Sequence, residues 1–240
     1  MVKIPTVKRY QFTVSGQEIE GVQLFKTRFG SYPPGTGVDF QFPWEPYPIW
    51  THNHTMDVPG FYLDPFPVTR QDYARYLNAS GYAPKDPNNF LKGWNRLPGG
   101  GYAPVSGDEH KPVTHVSLNE ARLFCAHAGK RLPHTWEWQL AAQGTDGRNF
   151  PWGNDAGGTT DGVRCPVLQN TTGTGRIDDL LSDVTAHPKG ASPYGVFDMV
   201  GNVWQYTDEF VDAHTRAAVL RGGSAYYPIP ATPTGEGENW

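Results

Sequence analysis

The chain has 240 residues, of which 38% are hydrophobic and 18% are charged. This balance excludes a charge-driven disordered chain, and a formal net charge of -4 favours neither nucleic acid nor an anionic membrane as a partner. The 28 glycines, 22 prolines and eight tryptophans indicate many turns held by large rings rather than a bundle of long helices. The length suits a domain with a sizeable buried core.

Cysteine content and hydropathy limit the possibilities further. Cys125 and Cys165 are too few for a disulfide framework, so one bridge or two thiols are both open. No segment approaches the roughly 18 apolar residues of a transmembrane helix, so we expect no membrane span. The N-terminal residues lack the apolar segment of a signal peptide, and we expect a cytoplasmic location unless a leader was removed.

The N-terminal part of the chain is rich in β-signals and proline. Residues 8–24 alternate apolar and polar side chains on either side of a Ser-Gly turn, which predicts a hairpin. Residues 30–50 are proline-rich and predict loop or edge structure. Residues 56–63 predict a strand that leads into a helix. We therefore divide the chain into an N-terminal hairpin and proline-rich lead packed on the core (residues 1–50) and a main domain (residues 51–240).

Start and stop signals predict three helices in the middle of the chain. The first two begin at a hydroxyl residue followed three positions later by a carboxylate, and each ends at a glycine. Because no convincing helix follows residue 145, helices cluster between irregular β-rich flanks, which predicts an α+β fold. The signals are Thr69, Asp72 and Gly81; Ser117, Glu120 and Gly129; and, for the third helix, Pro133 and Gly144. The predicted apolar positions are Tyr73, Tyr76 and Leu77; Ala121, Phe124, Cys125 and Ala128; and Trp136, Trp138, Leu140 and Ala141.

Several sequence blocks occur in the order typical of one family. They extend over about residues 54–226 and resemble the formylglycine-generating enzymes, also called sulfatase-modifying factors. The resemblance implies a C-type-lectin-like core with little regular structure, buried tryptophans and often bound calcium. The blocks are PFPVTRQDYARYLNASGY at 65–82, GKRLP at 129–133, WEW at 136–138, FPWGN at 150–154, SPYGVFDMVGNVWQYTDEF at 192–210 and VLRGGSAY at 219–226.

The positions that hold copper in the oxidases of this family lack thiols here. Those enzymes bind copper through two cysteines that follow the R-G-G-S block, because thiolates select Cu(I). In this chain Tyr227 stands at the first position and Thr232 near the second. Cys125 falls on the apolar face of the second helix and does not substitute. We therefore predict no copper, no formylglycine-type oxidation and no catalytic residue of that kind.

An iron-dependent enzyme is the alternative that the resemblance leaves open. Sulfoxide synthases of the same superfamily hold iron with histidines, some of them from a separate helical domain. His52 and His54 lie two residues apart and would share one face of a strand, although no third ligand is evident. We interpret them as a surface or structural pair. His127 and His134 flank the GKRLP block and could approach each other.

A loop near residue 200 resembles the calcium site of the family. The resemblance implies four ligands, namely the Asp198 side chain, the carbonyls of Gly201 and Val203, and the Gln205 side chain. Calcium favours several oxygen ligands in flexible geometry. Gln205 replaces a glutamate of the family pattern, so we expect weaker binding, and magnesium or an empty site is also open. The plain alternative is a turn in which Asn202 and Trp204 pack.

The predicted ligand face surrounds the R-G-G-S block. Arg221, Ser224, Tyr226 and Tyr227 are its candidate residues, because tyrosines supply rigid amphipathic contact area and loops on a stable core often bind ligands. The alternative is that the tyrosines fill the core. The ligand would be a small molecule, a glycan or a protein.

Three functions remain at this stage. The first is a non-catalytic ligand-binding or assembly module, the second a divergent non-haem iron oxygenase or sulfoxide synthase, and the third a structural subunit of a larger assembly. Family members usually continue past the R-G-G-S block with a closing strand. We therefore expect either that the chain is incomplete after Trp240 or that a partner strand completes the exposed sheet edge.

Overall fold

A computed structural model describes residues 1–15, 40–49, 51–155, 180–210 and 218–223. Short helices and short strands alternate irregularly, which confirms the α+β prediction. Within these ranges none of the helices has the length and apolar character that a bilayer span requires. In chain order the elements are β1 (Val2–Ile4), β2 (Val7–Ser15), β3 (Thr51–Val58), β4 (Phe61–Leu63), α1 (Arg70–Ser80), β5 (Asn95–Arg96), β6 (Tyr102–Ala103), α2 (Leu118–His127), α3 (Thr135–Gln143), β7 (Gln205–Phe210) and β8 (Ala218–Arg221).

The N-terminal strands pair with residues far along the chain. β2 runs antiparallel to β3, with Ser15 opposite Thr51, and β1 runs antiparallel to β4. The first strand of the predicted hairpin is therefore confirmed as β2, and among the described residues its partner is β3. Residues 16–24, predicted to complete the hairpin, lie outside the described part.

The single strand predicted for residues 56–63 is wrong, because the structure has two strands there. Pro59 cannot donate a backbone hydrogen bond to a ladder, and the Gly60 N–H donates instead to the Thr6 hydroxyl at 2.9 Å. The pairing therefore changes from β2–β3 to β1–β4 at this point.

One hydrophobic core joins the N-terminal lead to the main domain. The inward residues of β2, among them Phe12 and Val14, pack with Phe42 and with Trp138 and Leu140 of α3. Phe12 and Phe42 meet edge to face, with ring centroids 5.1 Å apart. The two predicted segments, residues 1–50 and 51–240, thus share this core.

A second core lies beneath α1. The helix begins at Thr69, whose hydroxyl oxygen accepts from the Asp72 N–H and whose hydroxyl donates to the Asp72 carboxylate at 2.7 Å. It ends at Gly81 in the left-handed region, as predicted. Its buried residues, Tyr73 and Tyr76 among them, pack with Phe124 of α2.

The α2 helix has the predicted start but not the predicted burial. Ser117 and Glu120 form the full capping box. No residue of α2 is fully buried; Phe124 and Cys125 are half-buried, and Ala128 lies just past the last turn and is exposed. Phe124 packs on the tyrosines of α1, while Ala121 and Cys125 on the inner face border a cavity.

The α3 helix, together with β7 and β8, positions the candidate site. Trp138, Leu140 and Ala141 of α3 are buried, as predicted, and the helix ends at Gly144. β7 and β8 pair antiparallel, with Gln205 opposite Arg221. Just past β8, the Gly222 carbonyl accepts from the Gly201 N–H at 2.6 Å, which ties the loop before β7 to the residues after β8.

Replacement of Gly222 by alanine should destabilise the fold strongly. Gly222 has a φ of 92°, and an added Cβ would lie 2.7 Å from the Met199 carbonyl oxygen and 3.3 Å from the Trp138 ring. Strain and overlap together should cost about 3 kcal/mol in the free energy of unfolding, measured in urea.

Gly99 offers a matched control for this substitution. Its φ of 93° is nearly the same, but no atom lies within 4 Å of an added Cβ. Gly99→Ala should therefore cost only the backbone strain, about 1–2 kcal/mol. Equal losses for the two variants would contradict a close approach at Gly222.

Candidate functional site

The Trp138 side chain is the centre on which several matched blocks meet. α3 places its indole in the core, where it is 1% exposed. The indole N–H donates to the Gln205 side-chain oxygen at 2.9 Å. The Arg221 guanidinium lies over the ring, 5.0 Å from its centroid, in a cation–π contact.

Arg221 is a core residue in this structure, with 2% of its surface exposed. One of its terminal nitrogens donates to the Gln139 side-chain oxygen, and among the described residues its Nε has no hydrogen-bond partner. Burial lowers the pKa of the guanidinium to about 10, so it stays charged at neutral pH. Burial also raises the pKa of the nearby Tyr10 phenol.

The predicted ligand face is described only at this arginine. The Arg221 side chain points inward, toward Trp138 and Gln139. Ser224, Tyr226 and Tyr227 lie outside the described residues. Ligand contact by these four residues therefore stays a prediction.

The predicted metal loop is closed by side-chain hydrogen bonds. Asn202, which is fully buried, donates to the Asp198 carboxylate at 3.0 Å, and its amide exchanges two hydrogen bonds with the Ser182 backbone. The Gly201 carbonyl accepts from the Val203 N–H at 2.8 Å. Sequence reasoning treated Asn202 only as a packing residue, whereas it ties the loop to residue 182.

Gln205 bridges the two ends of this loop. Its side-chain N–H donates to the backbone carbonyl of Asp198, while its oxygen accepts from Trp138. Because an indole nitrogen can only donate, Trp138 fixes which end of the amide is the oxygen. The Gln205 oxygen therefore faces Trp138, and its N–H faces the Asp198 carbonyl.

This set of contacts does not fit calcium as the sequence predicted. A calcium ion bound by the Asp198 region and Gln205 would require the side-chain oxygen of Gln205 to face the ion. Two other features point toward a cation, since Asp198 is 3% exposed and one of its carboxylate oxygens has no partner among the described residues. Burial raises the pKa of this carboxyl to about 6. Calcium at this loop stays a prediction of the sequence, and the orientation of Gln205 argues against it.

The histidines considered as possible iron ligands each contact other side chains. His52 and His54 share a face of β3, as their spacing predicts, but His52 contacts the Glu45 carboxylate at 2.8 Å and His54 stacks on Trp44. His127 packs edge to face against Tyr76. Within the described ranges no group of three or more histidine, cysteine or acidic side chains is arranged to hold a metal.

His134 belongs to a partly buried polar cluster that sequence reasoning missed. Its Nδ1 lies 2.6 Å from a Glu209 carboxylate oxygen, and the other oxygen accepts from the Thr135 backbone and hydroxyl. Arg131 forms two hydrogen bonds to Glu137 beside it. No short motif predicts these contacts, because His134 and Glu209 are separated by 75 residues.

A cavity of about 900 Å³ lies between α2, β4 and the β7–β8 pair. Its walls are mostly apolar, as is typical of small-molecule sites, and its volume is in the usual range of such sites. The walls include Phe61, Leu63, Ala121, Phe124, Cys125 and Leu220. Asn202, Trp204 and Gln205 also border it, but the amides of Asn202 and Gln205 are engaged in hydrogen bonds within the loop, and the Trp204 indole nitrogen is buried.

Cys125 is the thiol that the structure describes, and it is unpaired. It lines the cavity, and burial raises its pKa to about 11. Cys165 lies outside the described residues, so the pairing of the two cysteines is not described.

Curated relatives include both active and inactive proteins. The chain is 32% identical over 211 residues to the inactive C-alpha-formylglycine-generating enzyme 2 of Bos taurus, covering 70% of this chain and 66% of that protein. It is 30% identical over 227 residues to a formylglycine-generating enzyme of Streptomyces coelicolor, covering 71% and 69%. It is 32% identical over 177 residues to hercynine oxygenase of Mycolicibacterium smegmatis, covering 64% and 38%.

The chain spans only part of the length of such relatives. The matched region covers 66% of the bovine protein and 51% of the mouse formylglycine-generating enzyme. Among solved structures, PvdO from Pseudomonas aeruginosa has the same fold, with a TM-score of 0.55 at 18% identity, covering 97% of this chain and 85% of PvdO. CarF gives the same TM-score at 17% identity, covering 95% and 88%.

The family model of the sulfatase-modifying factor enzyme 1-like domain matches residues 31–234. That match extends over most of the chain and includes every block quoted above. The chain therefore belongs to the family of the sulfatase-modifying factor enzyme 1-like domain, the family of the formylglycine-generating enzymes.

Proposed function

We propose that this domain is a non-catalytic ligand-binding or assembly module of its family. One observation carries the proposal: Tyr227 and Thr232 stand where the resemblance places the copper cysteines. A phenol and an alcohol do not bind Cu(I) as thiolates do, so these two positions do not supply the thiolate pair with which the family's oxidases bind copper.

Cys125 does not restore that chemistry. A copper ligand or nucleophile has to be a thiolate, and burial raises the pKa of this thiol to about 11. Its side chain also lies on the wall of the apolar cavity, on a different element from the residues after β8. A second thiol beside it would be needed for a two-thiolate site, and the chain has one other cysteine, Cys165.

The cavity is the candidate ligand site. Aliphatic and aromatic side chains dominate its walls, which favours an apolar or aromatic group of a small molecule or peptide over a bare glycan. The Trp204 ring adds aromatic surface to this wall. The similarity to a bovine protein described as inactive supports a role without oxidation.

The second candidate is a non-haem iron oxygenase. The specific observation in its favour is 32% identity to hercynine oxygenase over 177 residues. Because this chain covers 38% of that protein, an iron site would need ligands beyond the matched region or beyond the described residues. A structural subunit of a larger assembly is the third hypothesis. Light scattering, which measures the size of the protein in solution, distinguishes it from a monomeric binding module.

Metal analysis of the purified protein tests the proposal directly. After incubation with Cu(I) and desalting, we expect substoichiometric copper and iron by mass spectrometry and no oxygen consumption with a cysteine peptide. A Tyr227→Cys, Thr232→Cys double variant is the matched control and should retain more copper, since it restores two soft ligands. Stoichiometric copper in the wild type would contradict the proposal, and stoichiometric iron with oxygen uptake would favour the oxygenase.

Alkylation of Cys125 tests whether its thiol is suppressed. In a Cys165→Ser variant, a pKa of about 11 leaves about 0.1% thiolate at pH 8, so iodoacetamide should react about 100-fold more slowly than with an exposed peptide thiol. The rate should rise about tenfold per pH unit up to pH 10. Unfolding in urea should remove the difference. A rate in the folded protein equal to that of the peptide would show a reactive thiolate instead.

A further inference from the structure

We propose that the Gln205 amide replaces a divalent cation in the loop from Asp198 to Gln205, so that the domain folds without calcium. The inference concerns the loop alone and is independent of whether the cavity binds a ligand. It starts from the disagreement between the oxygen ligands expected at this loop and the contacts that Gln205 makes.

The first step is that the loop brings several oxygens together. The Asp198 carbonyl and carboxylate and the Gly201 carbonyl belong to one turn, in which Asp198 and Asn202 both have left-handed backbone angles, with φ of 53° and 61°. Buried oxygens of one turn are costly unless a cation or an N–H donor satisfies them.

The second step is that Gln205 supplies such a donor. A glutamate in the same rotamer would present an ionised carboxylate oxygen to the Asp198 carbonyl, and two acceptors cannot hydrogen-bond to each other, whereas a cation can bind both. The amide presents an N–H, which donates directly to that carbonyl. Asn202 does the same for the Asp198 carboxylate through its own amide. Side-chain donors thus satisfy two of the Asp198 oxygens, while its second carboxylate oxygen has no partner among the described residues.

The third step is that the orientation of the Gln205 amide is fixed. Trp138 donates its indole N–H to the Gln205 oxygen, and an inverted amide would oppose two donors. Since Trp138 is buried and packed in the core, the amide cannot turn its oxygen toward an ion without losing this bond.

Thermal unfolding in EDTA and in millimolar calcium tests the proposal. For the wild-type protein we expect the same melting temperature in both solutions, and no calcium retained after desalting. For Gln205→Glu we expect a lower melting temperature in EDTA and recovery of about 5–10 °C in saturating calcium, since a carboxylate then faces the Asp198 carbonyl.

Gln71→Glu is the matched control, because it makes the same charge change on the exposed side of α1. It should show no calcium dependence. A wild-type melting temperature that rises by several degrees in calcium, or stoichiometric calcium after desalting, would overturn the proposal. That result does not depend on whether Gln205→Glu folds.

Asp198→Asn provides a second arm. Asparagine tolerates the left-handed backbone at this position, its side-chain oxygen can still accept from Asn202, and the backbone carbonyl that Gln205 uses is retained. We expect its melting temperature to stay within a few degrees of wild type in EDTA and in calcium. A large loss confined to calcium solutions would mean that the Asp198 carboxylate binds the ion, and would overturn the proposal.

Discussion

The need of one buried indole for a hydrogen-bond acceptor organises the centre of this domain. Trp138 is almost completely enclosed, and a buried tryptophan N–H without a partner is costly. Gln205 supplies the acceptor, Arg221 covers the ring face, and Gly222 passes so close that a side chain there would touch the ring. Three blocks that are distant in sequence are thereby fixed relative to one another.

The same constraint decides the character of the predicted metal loop. From the sequence, the change from glutamate to glutamine reads as the loss of one charge. In the fold it is also the gain of a donor, because Trp138 occupies the oxygen and leaves the N–H directed at Asp198. Sequence reasoning had no access to that second effect, since it depends on a residue 67 positions away.

What the sequence predicts well is what is local. The start of α2 depends on Ser117 and Glu120, three residues apart, and the end of α1 depends on the freedom of Gly81. The alternation of β2 correctly identifies a strand. Its described partner, β3, could not be predicted, because a period of two specifies a buried face but not which strand lies alongside.

The burial of α2 shows a related limit. Its apolar positions indicate a helix face, but periodicity does not distinguish a face against packed side chains from one against a cavity. The Glu209 carboxylate contacts His134 and accepts a hydrogen bond from Thr135, and local sequence patterns do not predict these contacts either. Long-range polar partners carry no signature in a single sequence.

These contacts explain how the family fold is kept in a chain without cysteines after the R-G-G-S block. Trp138, Gln205 and Gly222 belong to the most characteristic blocks of the chain, and their close packing and hydrogen bonds connect those blocks. Arg221 adds its contact with the Trp138 ring. Resemblance in those blocks therefore reports the architecture and says little about the reaction. Cys125 and Trp204, which line the apolar cavity beside α2, take no part in these contacts.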